Sequence, residues 1–285
     1  MADKYSSEAE ELVLGSNVTI GDNTRISGGR IVLGDDCRIG HDVEINVLKE
    51  LVLGKGSRIG DFSIIRGREL HIGRDAYTNH HAEIGGGSCF EISSSLTVGY
   101  WFHLGSHAMV NTAMPVEIGD EVGLGRMTNI YTHGAYLSEI DGFPTRFAPV
   151  KIGNRVWIPS ATVNPGINIG DDVVIGVGSV ITHDIPSGSL AMGVPCRVVK
   201  KNAFPAPFRI DKAMTVVGNI LENGGIRHKI RSELGELIVG TAIFSLHRRT
   251  IQGGSNNLSE RARELLRRHG IRFKAEIVDG EYRQW

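Results

Sequence analysis

The sequence has few cysteines, no long apolar run and almost no net charge, and each shortage excludes a class of protein. Its 3 cysteines among 285 residues are scattered and odd in number, which supports neither a disulfide framework nor a cysteine metal site. No apolar run approaches the ~20 residues of a membrane-spanning helix. The N-terminal residues also lack the apolar core of a targeting segment. With a formal net charge of −1, the chain is expected to be soluble and cytoplasmic, without a membrane span or bound nucleic acid.

The charge is unevenly distributed along the chain. Residues 201–285 carry a balance of +6, whereas the first 200 residues carry −7. Such a shift predicts a domain boundary near residue 200. We therefore expect one domain over residues 1–200 and a small α+β domain of unknown role over residues 201–285. In the second domain, residues 212–234 have mixed helical character, Ser259 suits the cap of a helix through Arg268, and Asp279-Gly280 suits a hairpin turn.

Glycine is abundant, and most of it belongs to a six-residue period in the first 200 residues. An aliphatic residue begins each unit and is often followed by glycine, and a period of six fits neither an amphipathic helix nor a simple strand alternation. Units begin at positions 14, 20, 26, 33, 39, 45, 53, 59, 65, 72, 78, 84, 92, 98, 104, 110, 118, 124, 130, 152, 158, 163, 169, 175 and 181.

Three such units make one coil of a triangular parallel β-helix. Every third step is often seven or eight residues long, so extra residues fall at the same corner of successive coils. The first residue of each unit should point inward and stack on the next coil, and the glycine after it should permit the corner backbone. About eight coils at roughly 4.8 Å give a prism on the order of 40 Å long. The period resembles that of the left-handed β-helix of hexapeptide-repeat proteins, and that resemblance implies a homotrimer.

The period is interrupted between Ile130 and Ile152, where the step is 22 residues instead of six. The inserted residues follow His133 and form a predicted loop over 134–149. A loop that leaves a rigid solenoid is a common place for function.

The final part of the solenoid carries specific motifs. Residues 150–200 contain Ile-Gly-Asn-Arg-Val-Trp-Ile, Asn-Pro-Gly, Gly-Val-Gly-Ser-Val-Ile-Thr and Gly-Val-Pro-Cys-Arg-Val-Val. This stretch resembles the closing segment of galactoside-type and xenobiotic-type O-acetyltransferases of the hexapeptide-repeat family. The resemblance implies a CoA-dependent acyltransferase that transfers an acetyl or similar short acyl group from acetyl-CoA to a hydroxyl of a sugar-like acceptor. The resemblance thus implies a small carbohydrate-like acceptor, and no metal is expected.

The resemblance also places a catalytic base at His133, just ahead of the inserted loop. A neutral imidazole can take the proton of a hydroxyl at neutral pH, so direct transfer in a ternary complex needs no nucleophilic serine or cysteine. Asn111 matches an acceptor-binding asparagine and lies one coil before Tyr131. Glu139 and Asp141 could orient the imidazole from its other nitrogen or contact the acceptor.

The CoA-binding residues implied by the resemblance lie in the last coils. They are Trp157, Ser160, Val177, Thr182, Arg197 and Lys200. Arg197 and Lys200 suit the adenosine phosphates, the first as a planar fork and the second as a point charge. Pro159 departs from the family, in which glycine is common at this position, and the unit that begins at Ile158 is one residue short.

Three other functions compete with O-acylation. The first is N-acylation of an amino sugar or a nucleotide-amino sugar. The second is a γ-carbonic-anhydrase-like zinc enzyme, which requires converging imidazoles; His80, His81, His103 and His107 are the candidates. Counting units places His81 level with Trp101 on the next coil, so we expect no ligand set within one chain. The third is a non-catalytic scaffold.

Overall fold

The computed structural model describes residues 5–285 and divides the chain into two compact units, Met1–Pro205 and Ala206–Trp285. Residues 1–4, where the prediction of no targeting core begins, lie outside the described residues. Among the residues described, no helix is long and apolar enough to cross a membrane.

The first unit consists of strands and connecting turns. In chain order the strands are β1 (Tyr5–Leu14), β2 (Thr19–Ile20), β3 (Thr24–Leu33), β4 (Arg38–Ile39), β5 (Glu44–Leu53), β6 (Arg58–Ile59), β7 (Ile64–Ile72), β8 (Tyr77–Thr78), β9 (Glu83–Gly85), β10 (Leu96–Val98), β11 (His103–Leu104), β12 (Met109–Asn111), β13 (Val116–Ile118), β14 (Gly123–Leu124), β15 (Asn129–Ile130), β16 (His133–Gly134), β17 (Arg146–Phe147), β18 (Val150–Ile152), β19 (Trp157–Ile158), β20 (Ala161–Val163), β21 (Asn168–Ile169), β22 (Val174–Ile175), β23 (Ser179–Ile181), β24 (Leu190–Met192) and β25 (Arg197–Lys200). A single 3₁₀ turn, Glu139–Asp141, lies between β16 and β17.

These strands form the three walls of a parallel solenoid. Wall I contains β10, β13, β18 and β21; wall II runs from β2 through β4, β6, β8, β11, β14, β19 and β22 to β24; and wall III contains β9, β12, β15, β20 and β23. The long strands β3, β5 and β7 bend around the edge between walls III and I, because β7 pairs with β9 through its first half and with β10 through its second. The solenoid has about nine turns, one more than expected, and the predicted fold class is confirmed.

The core is a set of stacked aliphatic columns. One column follows the strand register through Leu33, Leu53, Ile72, Val98, Ile118, Ile152 and Ile169. All seven are at most 4% exposed, as the period predicts. Two first residues depart from this pattern: Leu14 in the first strand is 44% exposed, and Ile92 is 84% exposed. The next buried core residue after Ile92 is Leu96, which pairs with Leu70 and Val116. Ile92 is exposed because residues 86–95, between β9 and β10, form a loop that adds residues to this coil.

The glycine after each first residue is required for a different reason from the one expected. A Cβ built on Gly105 would lie 2.5 Å from the Gly125 carbonyl carbon on the next coil, and one on Gly21 would lie 2.5 Å from Gly40 O. Close stacking of successive corners therefore excludes a side chain. The left-handed backbone conformation occurs two residues later, as at Asn23 with φ 60° and Asp42 with φ 54°.

The second unit is an antiparallel sheet with two helices. Its elements are α1 (Ile210–Asn223), β26 (Lys229–Arg231), β27 (Glu236–Val239), β28 (Ala242–Ser245), β29 (Thr250–Gly254), α2 (Asn257–Arg268), β30 (Glu276–Val278) and β31 (Glu281–Arg283), with a 3₁₀ turn at Ser232–Leu234. The sheet order is β26-β27-β28-β29-β31-β30.

The start of helix α2 differs from the prediction. Asn256 is the N-cap, and its side chain accepts from the Ser259 amide at 2.9 Å. Ser259 returns a bond by accepting from the Asn256 amide at 2.9 Å, which completes a capping box. The hairpin turn at Asp279-Gly280 forms as expected, since both residues have the positive φ of a type I′ turn, 52° and 79°.

Candidate functional site

His133 follows strand β15 at the edge between walls III and I. Strand β16, which begins at His133, pairs antiparallel with β17, so the inserted residues leave the solenoid and return as a short hairpin. The rings of His133 and Phe147 stack across this pair, with centroids 5.3 Å apart and an interplanar angle of 20°. The imidazole is therefore stacked on the returning strand β17.

The Nδ1 atom of His133 is bonded by a buried asparagine. Asn111 Oδ1 lies 2.8 Å from His133 Nδ1. The orientation of the Asn111 amide is fixed, because its Nδ2 donates to the carbonyls of Gly85 and Gly87, each at 2.9 Å. A flipped amide would set its oxygen against these two carbonyl oxygens. Since Asn111 Oδ1 can only accept, His133 Nδ1 carries the hydrogen, and the neutral ring has its lone pair on Nε2.

Asn111 has no hydrogen-bonding capacity left for a ligand. Its oxygen also accepts from the Thr132 hydroxyl at 2.5 Å and from the Thr132 amide at 3.3 Å. The residue is 2% exposed. Both ends of the Asn111 amide are occupied inside the protein, and acceptor binding by this residue stays a prediction. Its expected position is correct, since the pairing of β12 with β15 places Asn111 level with Tyr131.

A glycine run lies next to His133 and was not singled out in the sequence. Gly85 and Gly86 have φ of 129° and 80°, a region that residues with a side chain rarely adopt. A Cβ built on Gly87 would lie 3.4 Å from His133 Nε2. The run therefore supplies the two carbonyls that fix Asn111 and keeps the space beside Nε2 clear. Three consecutive glycines at the start of a loop were the available signal.

The two loop carboxylates do not orient the imidazole. Glu139 and Asp141 lie in the exposed 3₁₀ turn of the inserted loop. Among the described residues neither has a hydrogen bond to His133, and Asn111 takes the nitrogen that they were expected to hold. Tyr131 is 39% exposed at the end of β15. These three side chains remain near the hairpin without a shown contact to the imidazole.

The residues expected to bind CoA lie on the last coils, in three places. Trp157 of wall II and Lys200 of β25, which extends the same sheet, belong to one row, because Trp157 pairs with Val174, Val174 with Leu190, and Leu190 with Lys200. Three strand spacings separate them, about 14 Å. Ser160 and Val177 lie at the edge between walls II and III. Thr182 follows β23 of wall III and Arg197 begins β25, which pairs with β24; the two side chains contact His183 Nδ1 at 2.8 Å and 3.4 Å.

The shortened unit after β19 changes this corner. Only Pro159 and Ser160 separate β19 from β20, whereas four residues separate β14 from β15. A Cβ on Gly125 of the preceding coil would lie 2.1 Å from Pro159 O. The two corners are thus in close contact although the later one has no glycine of its own.

The cysteines are unsuited to nucleophilic catalysis. Cys37, Cys89 and Cys196 are free and buried. Burial is the largest cause that raises the pKa of each thiol above its usual value. A thiolate is therefore disfavoured at all three positions.

The exposed histidines stack differently from the expectation. The register of β9 with β12 places His81 level with His107, and that of β8 with β11 places Trp101 level with Asp75. Counting units gave the wrong register because the loop over residues 86–95 lengthens this coil. His80, His81 and His107 each have a nitrogen within 4.8 Å of the others, so the prediction that one chain forms no ligand set is wrong. Partial desolvation, and then the neighbouring histidines and Arg126, lower the pKa of His107.

Comparison with known proteins finds that part of the chain is similar to acetyltransferases. No family model matches it. The galactoside O-acetyltransferase of Escherichia coli (strain K12) is 35% identical over 120 residues, which are 39% of this chain and 57% of that protein. A Saccharomyces cerevisiae (strain ATCC 204508 / S288c) protein named as a candidate acetyltransferase is 34% identical over 115 residues, 39% of this chain and 58% of that protein.

One solved structure, a galactoside acetyltransferase in complex with coenzyme A, is 32% identical with a TM-score of 0.34 and covers 47% of this chain and 55% of that chain. The chain thus spans just over half the length of the curated relatives it matches. The resemblance predicted from the closing segment is confirmed.

Proposed function

We propose that this relative of the hexapeptide-repeat acetyltransferases transfers an acetyl group from acetyl-CoA to a hydroxyl of a carbohydrate-like acceptor, with His133 as the general base. One observation carries the proposal. Asn111 Oδ1 holds His133 Nδ1 at 2.8 Å, so that Nε2 is the free, basic nitrogen at the edge of the solenoid. A general base needs this protonation state and a fixed orientation.

The proton path follows from this arrangement. The acceptor hydroxyl donates to His133 Nε2, and its oxygen attacks the thioester carbonyl of acetyl-CoA. The imidazole becomes an imidazolium, and the Nδ1–H bond to Asn111 Oδ1 stabilises that charge. The imidazolium then returns the proton to the departing CoA thiolate, and the ester product forms. No acyl-enzyme is needed, in agreement with three buried cysteines whose thiol pKa values are raised.

The acetyl-CoA donor is proposed to bind along the last coils. Trp157 is 43% exposed on wall II, and Val177 is 77% exposed at the neighbouring edge. Both offer apolar surface to a pantetheine arm. Arg197 and Lys200 are exposed cations that suit the adenosine phosphates.

A homotrimer is part of the proposal. The inserted loop exposes large apolar side chains, among them Tyr136 at 98% and Ile140 at 97%. Apolar groups that are gathered on one loop favour contact with another protein surface. Light scattering of the purified protein should give three times the monomer mass, and a monodisperse monomer would contradict this part.

The experiment is an acceptor screen with a matched pair of variants. Thiol release from acetyl-CoA, corrected for hydrolysis, is measured against sugars, amino sugars and nucleotide-amino sugars. We expect His133→Ala to lower turnover by roughly 10²–10⁴-fold, while the thermal shift caused by CoA is retained. His41→Ala, which removes an exposed histidine on an earlier coil, should leave turnover unchanged. Near-normal turnover of His133→Ala would refute the assignment of the base.

The product decides between oxygen and nitrogen acceptors. An O-acetyl ester is cleaved by alkaline hydroxylamine, whereas an N-acetyl amide resists it. Release of the acetyl group from the isolated product supports the hydroxyl acceptor. A resistant product assigns the N-acyltransferase function instead.

A further inference from the structure

Three histidines share one solvent-facing corner of the solenoid, at the edge between walls II and III. His81 and His107 occupy equivalent positions on successive coils, and both have the left-handed backbone, with φ of 56° and 57°. The pairing of Glu83 with Met109 fixes this register. His80 precedes His81, and its Nε2 lies 3.1 Å from the hydroxyl of Ser106. Two coils thus hold the three imidazoles at a fixed backbone spacing.

The side-chain nitrogens converge. His80 Nδ1 and His81 Nδ1 are 2.9 Å apart, and the His81 and His107 rings stack with centroids 4.9 Å apart. One nitrogen from each residue lies within 4.8 Å of the other two. Tetrahedral zinc with bonds of about 2.05 Å holds its ligand nitrogens about 3.4 Å apart. To bind zinc, the Nδ1 atoms of His80 and His81 must therefore move apart by roughly 0.5 Å. The most widely separated pair of ligand nitrogens must approach by at most about 1.4 Å. Rotations about the χ angles of these exposed side chains provide both movements.

The contact between His80 and His81 constrains their protons. Two nitrogens at 2.9 Å share a single hydrogen, because two N–H groups or two lone pairs facing each other would repel. A cation can replace this shared hydrogen if the imidazole that carries it changes to its Nε2–H tautomer. Each residue then offers a neutral nitrogen, and no net proton is released.

The ligand chemistry selects the kind of cation. The described cluster contains three imidazoles and no carboxylate. Imidazole suits zinc and its borderline neighbours, whereas magnesium and calcium require oxygen ligands. We propose that His80, His81 and His107 bind one Zn²⁺ ion at this corner, with water in the fourth position. The ion joins two successive coils and stabilises the solenoid.

This site is separate from the proposed base. His133 lies at the edge between walls III and I, where its Nδ1 is bonded to Asn111. Zinc binding and acyl transfer can therefore succeed or fail independently. The Zn²⁺ site needs no substrate, so it can be tested on the tag-free, metal-stripped full chain.

The test is titration of that protein with ZnCl₂ by isothermal calorimetry, with thermal unfolding measured in parallel. We expect one zinc per chain and a rise in Tm with zinc. His107→Gln should lose the bound zinc and the Tm rise, while its metal-free Tm stays close to that of the unaltered protein. His80→Gln provides a second loss variant from the other coil.

A matched control separates this cluster from ordinary surface histidines. His41→Gln removes an exposed imidazole near the same edge, outside the cluster. It should bind zinc with unchanged stoichiometry and affinity. Absence of zinc binding by the unaltered protein overturns the proposal. So does equal binding by both loss variants, because the zinc would then lie elsewhere. Binding that disappears only in the two loss variants supports it.

Discussion

Removing Asn111 is the sharpest test of how the base is held. In Asn111→Ala the acceptor 2.8 Å from His133 Nδ1 disappears, together with the two donors to Gly85 and Gly87. Hydrogen bonds to a charged group contribute about 1.5–3 kcal/mol. The imidazolium that forms during transfer loses that stabilisation. At about 1.36 kcal/mol for each factor of ten, kcat should fall by roughly 10- to 150-fold.

Two measurements separate positioning from general damage. The KM for acetyl-CoA and the thermal shift caused by CoA should be unchanged, because Trp157, Arg197 and Lys200 lie elsewhere. Nitrogen NMR of ¹⁵N-histidine-labelled protein reads the tautomer directly. In the unaltered protein His133 should carry its hydrogen on Nδ1, and in Asn111→Ala both neutral tautomers should be populated.

The variant will also be less stable, and the assay must allow for this. The two lost hydrogen bonds cost about 1–3 kcal/mol, because the Gly85 carbonyl keeps its bond from the Thr112 amide at 3.0 Å and Gly87 is exposed to solvent. Activity is therefore measured well below the Tm of the variant. Asn129→Ala is the control, because the side chain of Asn129, on the next coil, donates only to Met127 O, at 3.3 Å. A folded Asn111→Ala protein with more than half of the normal kcat would refute the reasoning.

Three further predictions concern stability and thiol chemistry. Gly105→Ala should lower the free energy of unfolding by about 1–3 kcal/mol, because the new Cβ would lie 2.5 Å from Gly125. Gly134→Ala should leave the free energy of unfolding unchanged, because no atom lies within 4 Å of the new Cβ. Denaturant unfolding of the two variants checks both expectations. The three cysteines should react with a thiol reagent at pH 8 only after denaturation, since burial raises the pKa of each thiol and keeps it protonated; fast reaction of the native protein would contradict this. Tyr282→Phe should destabilise the second unit by about 1–2 kcal/mol, because the phenol bonds Ser259 Oγ at 3.0 Å, and a variant with unchanged Tm would show that this bond contributes nothing.

Local pattern was sufficient for most of the fold. The six-residue period specifies a backbone that repeats every coil, so one inference about Leu33, Leu53 and Ile72 applies along the whole column. The prediction from the period failed at Ile92, where a loop replaces the regular corner and the side chain is 84% exposed. The period also suggested the wrong reason for the glycines. The sequence does not show that the next coil lies so close that a Cβ at these positions would collide with it.

The candidate site was predictable only in part. His133 was found because the period breaks beside it. The partner of its Nδ1 was not found, since Asn111 lies 22 residues earlier and the loop carboxylates were nearer in sequence. Only the pairing of β12 with β15 brings this amide under the imidazole. The histidine corner was missed for a related reason, because an elongated coil changes which residues are level.

The sequence by itself determined the solenoid, the break at His133 and the similarity to acetyltransferases, because each of these is a local pattern or a contiguous motif. The tertiary structure decided which nitrogen of His133 is basic and which histidines converge. Both depend on contacts between coils, where residues 22 and 26 positions apart become neighbours through strand register. Register is set by how long each coil is, and the loops that change its length follow no period.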